Sequence, residues 1–459
     1  MNMKHFILTL AAAGSFIFCL SACDIDSFLD DKPSSDIIVP QSPEDFQAIL
    51  DYYYLNYTGA FAEISSDNYY LQQPSWTALN SVDKNSYIWA KDIYEGSTAE
   101  VSDWNSLYAE VYAANVVLDG LAANAEKGAG YGLVKSNALF MRAYAFFNLA
   151  QHFCLPYDEE SYEQDPGLPL RLKADVNILE QRASVRKTYE RILEDLKESL
   201  AWSTVLQPGT NLNRPCKAAV YATLSRVYLS MRKYDQSTAY ADSSLSLYNT
   251  LIDYNTLSKT SNTPFTRNPA EVLYQSYVPS FATSLLSSSN TISFIDTALY
   301  SSYAANDLRK SVFFRSRTGG YTIKGGYNGT TAAFTGLAVD EMYLNRAEGY
   351  ARAGKAGQAM NDLNYLLVRR FNSPSGYVPL SASSPSEALS LILTERRKEL
   401  IWRGLRWIDI RRLNKEGHNI SLKRVIGETT YTLEPNSIRY ALPVPLQEIL
   451  ISNIKQNER

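Results

Sequence analysis

Apolar residues recur at three- and four-residue steps in several separate stretches of the chain, the period of a helix with one buried face. From Trp104 the series Leu107, Tyr108, Val111, Tyr112, Asn115 and Leu118 predicts a helix over 104–121. A second is predicted over 135–153, where Ala138, Met141, Ala145, Leu149 and Phe153 mark one face. A third runs over 184–200, with Tyr189, Ile192, Leu193 and Leu196 apolar and Glu190, Arg191, Glu194, Asp195 and Lys197 solvated. Gly128, Gly130 and Pro156 mark the loops that join them as antiparallel neighbours.

Two later stretches repeat one another. Ala222, Ser225, Tyr228, Tyr234, Gln236 and Ser237 within 218–247 are matched in order and spacing by Leu344, Ala347, Tyr350, Ala356, Gln358 and Ala359 within 341–367. Small residues and tyrosines at these steps resemble the tetratricopeptide helix pair, in which small residues let two helices approach and an aromatic fills the groove. The tryptophan and proline of the full motif are missing. With 104–121 and 135–153 as a further pair, the pattern predicts a mostly α fold of tetratricopeptide-like helix pairs, roughly within 101–247 and 340–370. A few short strands are confined to the irregular segments.

Besides an irregular C-terminal part, two such segments stand out: 52–94, rich in Tyr, Asn, Asp and Ser, and 249–335, with three prolines and the pairs Gly319-Gly320 and Gly325-Gly326. Long loops on a packed scaffold tend to carry function, so the ligand surface is expected there. Tyr69, Trp76, Trp89, Tyr300, Tyr303, Tyr321 and Tyr327 fall outside any helical period, and nothing in the pattern buries them. Aromatic faces with a polar rim are what sugar rings and peptides dock on, because the ring covers C–H surface while amides and charges bind the hydroxyls. These seven are the candidate ligand contacts.

The N-terminus reads differently. Lys4 and His5 precede an uncharged apolar run from Phe6 to Leu20, too short to span a bilayer, and small residues lead to Cys23. Residues 1–22 are read as a signal peptide. Leu20-Ser21-Ala22-Cys23 resembles the bacterial lipobox, so Cys23 is expected to carry acyl chains that anchor the protein without spanning the membrane.

Composition narrows the partners. Lysine and arginine total 44 against 48 acidic residues, a net charge of -4 with no long basic run, which argues against nucleic acid. Cys19 leaves with the signal, so only Cys154 and Cys216 could pair, and both sit in apolar helical stretches that suit buried thiols. Beyond the signal the only histidines are His152 and His418, neither with a neighbouring ligand at metal-site spacing, which lowers the expectation of a metal centre or a catalytic triad.

Three blocks look chemical. Glu395 and Glu399 lie four apart and could serve as a glycosidase acid and base. Six arginines close by (Arg396, Arg397, Arg403, Arg406, Arg411 and Arg412) would hold a carboxyl pKa down, so a structural ion-pair block is expected. Asp67-Asn68 and Asp83-Lys84-Asn85 lack the twelve-residue calcium-loop spacing and suit turn chemistry. The glycine pairs open no helix after a strand and suit turns rather than phosphate. No catalytic residue, metal or cofactor is assigned.

Several blocks, read in order, resemble the SusD/RagB family of surface lipoproteins. Phe28-Leu29-Asp30 with Pro33, Ala114-Asn115, Phe140-Met141-Arg142-Ala143-Tyr144 and Gly167-Leu168-Pro169-Leu170 come first. Tyr343-Leu344-Asn345-Arg346-Ala347-Glu348, Glu395-Arg396-Arg397-Lys398-Glu399-Leu400, Arg406-Trp407-Ile408-Asp409 and Ala441-Leu442-Pro443-Val444-Pro445 follow. Cys154 stands where the family commonly has glycine, and Ile401-Trp402-Arg403 replaces a more usual step. The resemblance implies one helical domain over 23–459, four tetratricopeptide-like pairs against an irregular C-terminal part. It implies a nutrient-binding lipoprotein facing the cell exterior, Asp24, Asp26, Asp30 and Asp31 resembling surface-export signals. The implied partner is a SusC-like TonB-dependent outer-membrane transporter. The expected ligand is a glycan or oligosaccharide, with a peptide-binding member or a surface glycan hydrolase as alternatives.

Overall fold

Nine helices of nine or more residues dominate the computed structural model, which describes residues 40–459 apart from 53–54, 98–100, 124–127, 280–281 and 374–375. The expected signal peptide, Cys23, Phe28-Leu29-Asp30 and Pro33 lie outside the described residues. The helices are α1 (Ser102–Ala123), α2 (Gly128–Phe153), α3 (Val185–Trp202), α4 (Lys217–Ser230), α5 (Tyr234–Leu247), α6 (Val339–Arg352), α7 (Ala356–Leu367), α8 (Pro385–Glu399) and α9 (Arg406–Asn414). They pack in succession: α1 on α2, α2 on α3, α4 on α5, α5 on α6, and α6 on both α7 and α8. Residues Pro43–Arg459 form one compact unit. Among the described residues no helix is long and apolar enough to cross a membrane.

The internal repeat is visible down to its turns. Between α4 and α5 the chain reverses through Arg232 at φ 61°, and at the matching place between α6 and α7 it reverses through Gly354 at φ 78°. The amide of Lys233 donates to Tyr228 O at 2.9 Å, and that of Lys355 to Tyr350 O at 2.8 Å. Small residues set the spacing: a Cβ on Gly349 of α6 would lie 1.6 Å from Thr238 Oγ1 of α5. Ser225 Oγ of α4 meets Ser237 Oγ of α5 at 3.2 Å and accepts from Asn345 Nδ2 of α6 at 3.0 Å.

One boundary differs from the expectation. Helix α2 begins at Gly128, so Gly128 and Gly130 open the helix rather than mark a loop. The glycines serve close approach instead: a Cβ on Gly130 would sit 3.2 Å from Pro43, and one on Gly132 2.9 Å from the Trp202 ring.

Strands among the described residues form five two-stranded antiparallel sheets, all short. Tyr69–Tyr70 pairs with Phe294–Ile295, which joins the two irregular segments read from the sequence, and Phe314–Arg317 pairs with Gly320–Ile323 as a hairpin. One large apolar core runs from Ala60 to Ile454 and takes side chains from both the helices and the irregular parts. Cys154 and Cys216 are buried free thiols, their pKa pushed up to about 11 by burial.

Candidate functional site

The charged block at the end of α8 is structural. Glu395 Oε2 accepts from Arg309 Nη2 at 2.5 Å and its Oε1 from Lys398 Nζ at 2.7 Å; Glu399 accepts from Arg309 Nη1 at 3.0 Å and Arg370 Nε at 2.7 Å. Burial alone would raise the Glu395 pKa, but Arg309 and Lys398 hold it below the ordinary range, the wrong direction for a general acid. The same pattern continues downstream, where Arg403 binds Asp340, Arg396 and Arg412 share Asp409, and Arg412 grips Glu348 through both terminal nitrogens.

Glu271, Asp340 and Glu399 bring carboxylate oxygens within 4.8 Å of one another. Arg370 bridges Glu271 and Glu399, and Arg403 holds Asp340, so guanidinium groups occupy the place a cation would need. Asp83 accepts from Thr283 Oγ1 at 3.0 Å in the first turn of Ser81–Tyr87, whose N-cap is Asn80, which is turn and cap chemistry. Gly319 and Gly320, at φ 100° and 154°, make the hairpin turn, with Tyr70 Oη donating to Gly319 O at 3.1 Å.

The seven candidate aromatics divide. Tyr69, Trp89, Tyr303 and Tyr327 are buried, which corrects the expectation that loop aromatics have no reason to be. Tertiary partners supply the reason. Tyr69 Oη donates to Ile64 O at 3.1 Å, Trp89 Nε1 to Ser65 O at 3.0 Å, and Tyr303 Oη to Lys398 O at 2.8 Å. Arg424 lies against both Tyr69 and Trp89, and Tyr327 packs between Phe265 and Phe334 under Arg403. A polar handle satisfied in the core lets the first three rings serve as interior residues, while Tyr327 is held by ring and guanidinium packing.

Tyr300, Tyr321 and Trp76 remain accessible. Tyr321, 36% exposed, stacks on Tyr300 with centroids 3.7 Å apart and planes at 14°. Lys310 Nζ stands 4.7 Å over the other ring, and Phe314 supports it edge-on at 5.6 Å. Tyr300 is on the short helix Thr297–Ser301, while Tyr321 is on the hairpin strand Gly320–Ile323. Trp76 lies 6.4 Å from Tyr431 and donates Nε1 to Lys84 O at 3.1 Å. The hairpin turn links the two groups of aromatics: a Cβ on Gly319 would lie 3.2 Å from Gln72 Nε2, one turn before Trp76.

Beside Tyr300 opens a cavity of about 430 Å³ lined by Asn262, Asn306, Lys310, Arg315 and Asn372. An apolar ring next to amides and cations can cover one sugar face and bond its hydroxyls. Sequence reasoning missed Lys310, Tyr431 and the three asparagines. The asparagines lie in separate loop segments whose convergence no local pattern reveals.

Helix pairs in tandem, with an accessible aromatic face on the long loops, define a helical-repeat binding architecture. Residues 27–229 match a SusD-like family model described as starch-binding associating with outer membrane, and residues 230–458 match the model of the SusD family. The chain belongs to the SusD/RagB family. No curated relative matches it. A SusD superfamily protein from Bacteroides thetaiotaomicron is similar at 20% identity and TM-score 0.72, covering 91% of this chain and 100% of that one. One from Bacteroides fragilis shares 22% identity at TM-score 0.71 over 90% and 99%. A laminarin binding SusD-like protein shares 17% identity at TM-score 0.62 over 90% and 98%. The two departures from the family pattern are interior: Cys154 is buried, and Trp402 donates Nε1 to Leu286 O at 3.0 Å beside the Arg403–Asp340 pair.

Proposed function

We propose that this protein is a lipoprotein anchored through Cys23 to the outer membrane and facing the cell exterior. It binds a glycan and delivers it to a SusC-like TonB-dependent outer-membrane transporter. The observation that carries the reading is the Tyr300–Tyr321 stack, exposed on one ring and bordered by a cavity of amides and cations. Trp76 extends the same loop surface. The description of the N-terminal family match as starch-binding, and a structural neighbour that binds laminarin, favour a saccharide over a peptide. The lipobox-like Leu20-Ser21-Ala22-Cys23 supports the anchor.

Binding without turnover is the expected chemistry, because guanidinium and ammonium groups engage both oxygens of Glu395 and Glu399. Migration of the mature protein through gels containing single polysaccharides tests this. Retardation by at least one glucan, with no new reducing ends released, is expected. Release of reducing ends that vanishes in Glu395→Gln would favour a hydrolase instead, and no retardation by any glycan would overturn saccharide binding. For the anchor, Cys23→Ala should leave the membrane fraction, and protease added to whole cells should digest the wild type.

A further inference from the structure

The larger cavity on the opposite side of helix Thr297–Ser301 from Tyr300 has its own chemistry. It measures about 660 Å³, within the range of small-ligand sites, and lies between α8, α9 and His418. Ser386, Ser390 and Thr394 present hydroxyls at successive turns of α8, with Leu389 and Leu393 half-buried beside them.

Four cations line it, but two are already committed: Lys398 to Glu395 at 2.7 Å and Asp307 at 3.4 Å, and Arg396 to Asn345 at 2.7 Å and to the single lining carboxylate, Asp409, at 2.8 Å, which Arg412 also holds at 2.9 Å. Arg397 and Arg406 are left to decide its charge. Asp67, behind the wall, serves two guanidinium groups: it takes Nε and Nη2 of Arg406 at 2.7 and 2.9 Å and Nη2 of Arg397 at 3.1 Å. A second carboxylate that Arg397 senses, Asp296, is committed to capping Thr297–Ser301, where it accepts from Leu299 N at 2.8 Å. Among the described residues, Nη1 of Arg397 and Nη1 of Arg406 meet no hydrogen-bond partner and neither does the exposed His418 imidazole. Unengaged guanidinium donors over one shared carboxylate suit an anion of carboxylate geometry.

We infer that this cavity is a second saccharide subsite, selective for a sugar unit that bears a carboxylate, a hexuronate. Arg397 and Arg406 hold the carboxylate, the α8 hydroxyls bond the ring hydroxyls, and Leu389 and Leu393 cover a C–H face. The inference rests on the saccharide-binding reading above and adds the charge of the ligand to it.

The test is calorimetric titration of the mature protein at low salt with galacturonate, glucuronate and mannuronate trisaccharides, each beside its carboxyl-reduced neutral counterpart. At least one acidic trisaccharide should bind about tenfold more tightly than its reduced form, as one charge-assisted contact allows. The preference should shrink as ionic strength rises. Arg397→Gln should abolish the preference, and His418→Gln, at an exposed position that leaves the core intact, should weaken it. Equal affinity for acidic and reduced sugars, a preference that survives Arg397→Gln, or no binding of any acidic sugar would each overturn the hexuronate site. Retention of neutral-glucan binding in that event would show that the Tyr300–Tyr321 face stands without it.

Discussion

Tyr300 and Tyr321 come from different elements and stack at 3.7 Å between centroids, with Tyr303 buried three residues from Tyr300. One turn of chain therefore carries two tyrosines with opposite roles. Tyr303 donates to Lys398 O inside the core, while Tyr300 faces a polar cavity under Lys310.

That division predicts a split between stability and affinity. Tyr303→Ala removes a buried ring and its hydrogen bond, and should lower unfolding stability by about 3–5 kcal/mol. Tyr321→Ala removes an accessible ring and should change stability by about 0.5 kcal/mol or less. Urea unfolding of both variants checks this, and equal losses would contradict it.

The helices were legible because burial on one face leaves a period in the sequence. Repeated residues such as Tyr228 and Tyr350 marked the matched pairs, while the left-handed turns at Arg232 and Gly354 that close them emerged only in the fold. The loop aromatics were not legible, since Tyr69, Trp89 and Tyr327 are buried by Arg424, Arg403 and distant rings that no local spacing encodes. The ion-pair character of Glu395 could be read from its arginine neighbours, but its main partner Arg309 lies far away in sequence and could not. The cavity beside Tyr300 was hidden for the same reason, its asparagines arriving from three separate loop segments.

Arg309 is the hub of the buried network, bonding Asp307, Glu395 and Glu399 with its side chain fully enclosed. Arg309→Met would leave three carboxylates short of a cation. Stability should fall by about 3–5 kcal/mol in denaturant unfolding. A loss under about 1 kcal/mol would show that the network is not needed for the fold.

Glu63 gives a pH dependence. Burial raises its pKa from 4.5 to about 7, against the opposing hydrogen bonds from Asn68, Gly404 and Ser66. The folded state thus holds a proton that the unfolded chain releases, so this contribution is full below pH 4.5 and is lost as pH rises through 7. The change is at most about 3 kcal/mol. Glu63→Gln cannot ionise, so its stability relative to wild type should improve between about pH 4.5 and pH 7 and level off above. A pH-independent difference between the two would contradict the raised pKa.

The close approach of α5 and α6 depends on Gly349. Gly349→Ala would drive a methyl into Thr238 and should cost about 1–3 kcal/mol, with partial recovery when Thr238→Ala is added. Thermal unfolding of the single and double variants measures this, and a single variant as stable as wild type would refute the tight contact.

Glycan binding at the Tyr300–Tyr321 face is the central claim, and calorimetry on the mature protein tests it most directly. The titrant is a neutral oligosaccharide from the polysaccharide that retards the protein in gels. Wild type should bind in the micromolar to millimolar range, roughly -8 to -4 kcal/mol. Tyr321→Ala and Tyr300→Ala should each weaken binding by about 1 to 3 kcal/mol, tenfold to a hundredfold, in folded protein. Wild-type affinity in both folded variants would place the ligand elsewhere on the molecule and contradict the account.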